Sequence, residues 1–349
     1  MPNNMPELIT YPFPPIGSRD ALARMLHCTL EELTRTESKA NDLYRQVRKP
    51  KKDGTFRNCY DAKYPLKSMQ GRIECMILKK VIFPSYLMGG LADHQNPMDY
   101  VRNAQVHAGA RVMVNEDIAG FFPSTSDHVV FDIWKYIFHF PADVARTLAR
   151  LTTREGQLPQ GTKTSTYLAN LVFWAQEPGL VERLRATGWE YTRYIDDMTV
   201  SSKADRTREE LGMAITLIAS MVRRYGLRFK RKKHNIAYAG QRMEVTGLVV
   251  GKNSAGLGHI KRSSIRALMH RCETEAGTIS QESKELRRAA SLVGQYARLH
   301  PSKGQILQAT SEGASRRAFC ISIRKTNRMF DGGMEPGTGV EPVASRLQI

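Results

Sequence analysis

Three aspartates in this chain could do metal-ion chemistry. Asp196 and Asp197 stand side by side in Arg193-Tyr194-Ile195-Asp196-Asp197-Met198-Thr199-Val200-Ser201, and adjacent carboxylates repel each other unless a cation lies between them. Aspartate is also a common turn former, so the pair alone reads as an ordinary turn. Asp117 changes that reading. It ends the strand-like run Arg111-Val112-Met113-Val114-Asn115-Glu116-Asp117 and precedes Ile118-Ala119-Gly120-Phe121-Phe122-Pro123-Ser124. A strand-end aspartate beside a hairpin that offers two more is the arrangement that holds two Mg²⁺ ions for in-line phosphoryl transfer. One ion would activate a hydroxyl nucleophile and the other would stabilise a leaving pyrophosphate, which points to a polymerase palm.

Strands must position these groups. Trp189, Tyr191 and Arg193 alternate with Glu190, Thr192 and Tyr194 before the β-favouring Met198, Thr199 and Val200, predicting a hairpin with the carboxylates at its tip. A second hairpin is predicted over residues 44–61 around the turn pair Asp53-Gly54, with Lys49, Lys51, Lys52 and Arg57 near its tip. Residues 244–250 read as a further strand.

Helices fill the intervals. Ser18 reads as an N-cap, and Thr29 with Glu32 as a capping box. Apolar residues at three- and four-residue spacing predict amphipathic helices over 64–83 and 206–225. Residues 98–109 read as a helix carrying Asn103 and His107 on one face. Ser126 or Asp127 caps a helix through Trp134 to Phe138, and another helix runs through Leu168 and Leu171. The segment Arg228-Phe229-Lys230-Arg231-Lys232-Lys233-His234 is densely cationic and suits phosphate. From Asn253 the pattern turns helical and basic, with Lys261, Arg262, Arg266, Arg271, Arg287, Arg288 and Arg298 among Ile265, Leu268, Leu286, Leu292, Val293 and Leu299. A small bundle with one cationic face is expected there.

Composition sets outer bounds. The 349 residues are 41% apolar, enough for a large core, and carry a formal net charge of +18, which calls for a polyanionic partner. No apolar run approaches the ~20 residues of a bilayer span, and no charged-then-apolar leader opens the chain. The expectation is a cytoplasmic protein without a membrane partner. Cys28, Cys59, Cys75, Cys272 and Cys320 lack CxxC spacing and read as reduced thiols.

Three blocks, in a single order, resemble those of reverse transcriptases. Tyr194-Ile195-Asp196-Asp197 is similar to the YxDD box, and the run from Asp117 to Ser124 resembles "DIxxFFPSI". Leu158-Pro159-Gln160-Gly161-Thr162-Lys163-Thr164-Ser165-Thr166-Tyr167-Leu168-Ala169-Asn170-Leu171 is similar to "LPQGxxTSPxLANL". Two smaller matches, Asn103-Ala104-Gln105-Val106-His107 to "NAxxH" and Val245-Thr246-Gly247 to "VTG", resemble motifs of the retron-type bacterial reverse transcriptases. The resemblance runs from about Ser18 to about Ala309. Thr166 departs from the family's proline, which leaves the start of that helix open, and Ile195 departs from its commoner alanine.

The resemblance implies an α+β right-hand polymerase. Its parts would be an extended arm over 1–16, fingers with N-terminal helices over 17–110, and a palm over 111–250 with fingers-associated helices around 125–175. A helical thumb over 251–313 and a basic, then disordered, tail over 314–349 would follow. Asp117, Asp196 and Asp197 would bind two Mg²⁺ ions. Lys51 and Arg57 would clasp the incoming triphosphate, and Phe122 would lie beneath its sugar and exclude a ribose. Gln160 and Gly161 would touch the nascent pair, and Lys233 would serve as general acid toward pyrophosphate. Asn103, His107, Val245, Thr246 and Gly247 would shape the palm or contact RNA. The implied partners are a noncoding RNA acting as template and primer, its DNA product, deoxynucleoside triphosphates and a separate effector protein in antiphage defence. The rival readings are a group II intron-type or other stand-alone reverse transcriptase, and an RNA-binding scaffold with an inactive palm.

Overall fold

The computed structural model describes residues 7–51, 54–91, 97–274 and 284–299, with residues 269–274, 284–290 and 297 as backbone alone. Residues 1–6 of the expected arm, Lys52 and Asp53 of the expected turn, and residues 300–349 with Cys320 lie outside it. The side chains of Arg271, Cys272, Leu286, Arg287 and Arg288 do too. Two compact units follow each other along the chain, Met1–Thr246 and Gly247–Ile349.

The first unit is built on a five-stranded sheet. Strands β1 (Tyr44–Pro50) and β2 (Phe56–Ala62) form a separate antiparallel hairpin, as the turn pair predicts. β3 (Leu87–Met88), β4 (Val112–Asp117), β5 (Glu190–Tyr194), β6 (Asp197–Ser202) and β7 (Asn235–Tyr238) form the main sheet in the order β3-β5-β6-β4-β7. Every pairing in it is antiparallel except β3 with β5. β4 is an interior strand, flanked by β6 and β7, and has no exposed residue. On one side the helix Glu177–Ala186 packs on β5, and Arg208–Arg224 packs on that helix. Trp134, Phe138, Phe140 and Tyr11 cluster in the core, with the Tyr11 and Phe138 rings 4.9 Å apart.

Capping chemistry sets the helix starts. Ser18 accepts a hydrogen bond from Ala21 N–H, Thr29 and Glu32 form the full capping box, and Thr207 with Glu210 forms another for Arg208–Arg224. Ser126, not Asp127, caps the helix Asp127–Asp132, which continues as a π-helical turn over Ile133–Ile137. Three sequence expectations are shortened. The helix expected over 64–83 spans Leu66–Met76, then a 3₁₀ turn at Leu78–Lys80. It stops there because the backbone of Ile82 pairs with Thr10 of the N-terminal arm at 2.8 and 3.1 Å, an extended geometry suited to β-branched residues near a proline. The helix expected over 98–109 spans Tyr100–Val106, since the Asp99 carboxylate caps it by accepting from Val101 and Arg102 N–H. The strand expected over 244–250 is broken into β8 (Glu244–Val245) and β9 (Leu248–Val250) by left-handed backbone at Thr246 (φ 47°) and Gly247 (φ 79°).

In the second unit β9 pairs antiparallel with β10 (Ala255–Gly256). The expected helical run from Asn253 therefore begins only at His259, with the helices His259–Thr274 and Lys284–Leu299 packed together. Ile265, Val293 and Tyr296 are buried, whereas Lys261, Arg266 and Arg298 are exposed.

A candidate active site on the central sheet

β5 and β6 are joined by the two-residue turn Ile195-Asp196, so Tyr194 faces Asp197 in the ladder. On the neighbouring strand Asp117 faces Asp197. Because side chains alternate across a sheet, Asp117, Asn115, Asp197, Thr199, Ser201 and Thr192 share one face, and Glu116, Val200, Met198, Arg193 and Tyr191 share the other. Register thus places two of the three carboxylates on one face at the sheet's end, with the third on the adjoining turn.

The turn is strained and braced. Ile195 is β-branched, buried, and held at φ 59°, a region such residues avoid. Arg193 Nη1 donates to its carbonyl at 3.0 Å, and Ile118 N–H donates to the Asp196 carbonyl at 3.0 Å. Arg193 is wholly buried, yet its guanidinium is satisfied. It donates to both Glu177 oxygens at 2.6 and 2.8 Å, to Asn170 O at 3.0 Å and to Ala169 O at 3.4 Å. Tyr191 OH completes the set on Glu177 Oε1 at 2.7 Å. Sequence reasoning missed Glu177. The available signal was an arginine in phase with Trp189 and Tyr191 on an inward strand face, which requires a buried carboxylate partner.

The opposite face carries a polar network. His107 is buried, with Nδ1 2.7 Å from Ser201 Oγ and Nε2 2.8 Å from Thr192 Oγ1. Burial pushes its pKa down to about 3, so the ring is neutral and one nitrogen donates while the other accepts. Thr199 donates to Asn115 Oδ1 at 3.0 Å, and Asn115 Nδ2 donates to Glu244 O at 3.2 Å. Asn103 and Val245 are buried, and Thr246 Oγ1 donates at 3.0 Å to Tyr100 O, at the start of the helix that carries Asn103. The two short motifs around residues 103–107 and 245–247 therefore meet through Thr246 and Tyr100. Gly247 holds the left-handed backbone just beyond.

The carboxylates are short of positive charge. Burial first, then Asp196 and a hydrogen bond with Asp117, push the Asp197 carboxyl up to about 7 against the pull of Lys233. Asp196 is pushed up by burial and then by Asp117, with Lys233 and Arg57 acting the other way. The Lys233 ammonium bonds Asp117 Oδ2 and lies 3.7 Å from Asp197 Oδ1. Among the described residues no three acidic, histidine or cysteine side chains converge tightly enough to hold a metal ion as they stand, and this ammonium lies against two of the carboxylates. The donor set nevertheless fits a hard divalent cation: carboxylate oxygens with unmet negative charge, two of them in contact. The turn carrying Lys233 is fixed by Lys230 N–H donating to Asp117 O at 2.7 Å and by His234 Nδ1, 2.6 Å from Glu116 Oε1. Glu116 and His234 are also residues that sequence reasoning passed over.

The remaining expected residues lie around this end of the sheet. Lys51 and Arg57 are exposed on the β1–β2 hairpin, and Arg57 is near enough for its charge to act on Asp196. Gln160 O accepts from Tyr60 N–H at 2.7 Å, which joins the 158–171 block to β2. Gly161 has φ 104°, and a Cβ there would lie 3.3 Å from both Cys59 Cβ and Tyr60 O. Its need for glycine is thus met by the hairpin backbone, a reason the sequence did not suggest. Phe121 is buried and stacked on Phe173 at 5.9 Å, whereas Phe122 is half-buried. The helix following Gly161 starts at Ser165 despite Thr166, without a side-chain cap.

Residues 49–268 match the family model described as reverse transcriptase (RNA-dependent DNA polymerase). The reverse transcriptase of retron Se72 from Salmonella heidelberg (strain 579083-10) is 33% identical over 293 residues, covering 82% of this chain and 76% of that protein. The chain is a member of the retron reverse transcriptases. The retron Ec48 reverse transcriptase of Escherichia coli is 28% identical over 325 residues, 88% of this chain and 79% of its own. The retron Ec86 enzyme of the same species is 29% identical over 224 residues, 64% and 68% respectively. This reverse transcriptase is accordingly an RNA-directed DNA polymerase of the right-hand fold, and its three carboxylates lie inside the matched region. No helix among its described residues is long and apolar enough to cross a membrane.

Proposed function

We propose that this reverse transcriptase copies part of a structured noncoding RNA into DNA that stays joined to it, primed from a guanosine 2′-hydroxyl of the same RNA. It would act in the cytoplasm beside a separate effector protein, in antiphage defence. The observation that carries the catalytic reading is the register pairing of Asp117 with Asp197, next to the Asp196 turn.

Asp117, Asp196 and Asp197 would hold two Mg²⁺ ions, which supply nucleophile activation and charge stabilisation on the leaving pyrophosphate when bound. Lys233 keeps its proton at Nζ: burial works against this, but the hydrogen bond to Asp117 and the charges of Asp197 and Asp196 outweigh it. That ammonium is therefore available to protonate pyrophosphate as it departs. Lys51 and Arg57, both exposed on the hairpin, would clasp the triphosphate of the incoming nucleotide. Phe122 would exclude a ribose, with the buried Phe121 holding its helix in place. Gln160 and Gly161 would line the nascent pair beside the fingers hairpin. Asn103, His107, Val245, Thr246 and Gly247 would shape the palm, a role that the burial of Asn103, His107 and Val245 and the Thr246–Tyr100 hydrogen bond favour over contact with RNA. In this reading 17–110 is fingers, 111–250 palm and 251–313 thumb.

The deciding experiment is sequencing of the nucleic acid that co-purifies from cells. The expected product is a short DNA joined 2′ to 5′ to RNA. The Asp196→Asn variant should lose that product by about 10²-fold or more while still retaining RNA. DNA without a 2′–5′ branch would favour a stand-alone reverse transcriptase, and full yield from Asp196→Asn would remove the carboxylate mechanism.

A further inference from the structure

A depression of ≈ 470 Å³ opens between the last turns of the helix Arg208–Arg224 and the segment 228–231. Ala219, Val222 and Phe229 line it together with Arg223, Arg228 and Arg231, and none of the three carboxylates does. Gly226, at φ 70°, turns the chain back after the helix. The returning segment is then locked to the end of β4: Ala119 N–H donates to Arg228 O at 2.8 Å, and Phe229 bridges Ile118. Phe229 is half-buried against the core, so its ring is fixed while part of it stays accessible.

The arginines have no internal use. The ion pairs of this segment run from Lys233 to Asp117 and Asp197 and from His234 to Glu116, and among the described residues Arg223, Arg228 and Arg231 are in none. Arg223 gains from its place at a helix C-terminus, but Arg228 and Arg231 have no such reason. Three guanidinium groups around an apolar floor repel one another unless an anion joins them. Guanidinium suits phosphate oxygens through paired hydrogen bonds, and an aromatic floor suits a base. The volume lies in the usual range for a small-molecule site.

We propose that this depression is a nucleotide site separate from the carboxylate centre, taking a base against the accessible part of Phe229 and its phosphates on the three arginines. A free nucleoside phosphate and a unit of an RNA strand present the same base-and-phosphate chemistry. A merely solvated cationic face would not enclose an apolar floor.

The test is a fluorescence titration of the full chain with trinitrophenyl-ATP in EDTA, which removes metal-dependent binding at the carboxylates. The same titration is made with Arg228→Gln/Arg231→Gln, with Arg224→Gln as an exposed neighbour outside the lining, and with Asp196→Asn. Thermal melting of each variant checks folding, which substitution of exposed arginines leaves intact. The expected result is binding that weakens about tenfold or more in Arg228→Gln/Arg231→Gln and is unchanged in the other two variants. The dependence of that binding on salt should also become shallower in the double variant, because fewer charge contacts are left to screen. Displacement by unlabelled ATP alone assigns a free nucleotide, and displacement by a single-stranded RNA hexamer assigns a strand. No binding by the wild type, an equal loss in Arg224→Gln, or a loss in Asp196→Asn would each overturn the proposal. None of these outcomes touches the sequencing test of the polymerase reading.

Discussion

His107 shows how one buried side chain ties acidity to the integrity of this sheet. Its pKa is lowered from 6.5 to about 3 by burial, so the unfolded chain takes up a proton across that interval more readily than the folded one. The stability it contributes is complete above the unfolded value and is lost as pH falls from about 6.5 toward 3. His107→Gln, which can still donate and accept, should unfold about 1–3 kcal/mol more easily at neutral pH. It should also show a shallower fall in melting temperature between pH 7 and pH 5, measured by thermal scans. An identical pH profile for wild type and variant would mean that His107 does not carry this dependence. At the same scale, a Cβ at Gly161 would lie 3.3 Å from Cys59 Cβ and Tyr60 O, and its φ of 104° is strained for any other residue. Gly161→Ala should cost more than about 1 kcal/mol, visible in chemical denaturation.

At the scale of elements, the β5–β6 turn is held by groups from two helices. Arg193 joins the carbonyls of Ala169 and Asn170, the carboxylate of Glu177 and the carbonyl of Ile195. Arg193→Lys keeps a charge for Glu177, but an ammonium lacks the fork that spans all four. The variant should stay folded and lose about 10²-fold or more in kcat, while KM for the deoxynucleotide changes little, because the turn bearing Asp196 and Asp197 is no longer pinned. Steady-state primer extension separates the two parameters. Glu177→Gln leaves the buried guanidinium without its counter-charge and should destabilise the first unit by about 3–5 kcal/mol, a loss that equilibrium denaturation would register. A Glu177→Gln protein as stable as wild type would mean that the pair is replaceable.

For the whole molecule, 52 basic against 34 acidic residues leave a surplus of +18, and exposed cations occur on the β1–β2 hairpin, in the segment 228–233 and in the second unit. RNA affinity should therefore fall steeply with salt, by about 10³-fold or more between 50 and 200 mM if six or more phosphates are contacted. Filter binding over a salt series measures the slope. A flat series would show that this charge does not face nucleic acid.

Much of the site was legible along the chain because the signals are local. Two aspartates between β-favouring runs make a hairpin tip, and Ser18, Thr29 and Glu32 make caps, each decided within a few residues. Asp117 was found because it ends a strand. The chain alone did not indicate that Arg193 meets Glu177, 16 residues upstream, or that Lys233 lies on Asp117 across 116 residues. Nor did it show that Thr246 reaches back to Tyr100, that Ile195 is left-handed, or that Gly161 is pressed on β2. These are choices of which buried donor meets which acceptor. They depend on the packing of whole elements against one another, because a buried polar group must find a partner wherever the fold brings one, and no local preference encodes that distance.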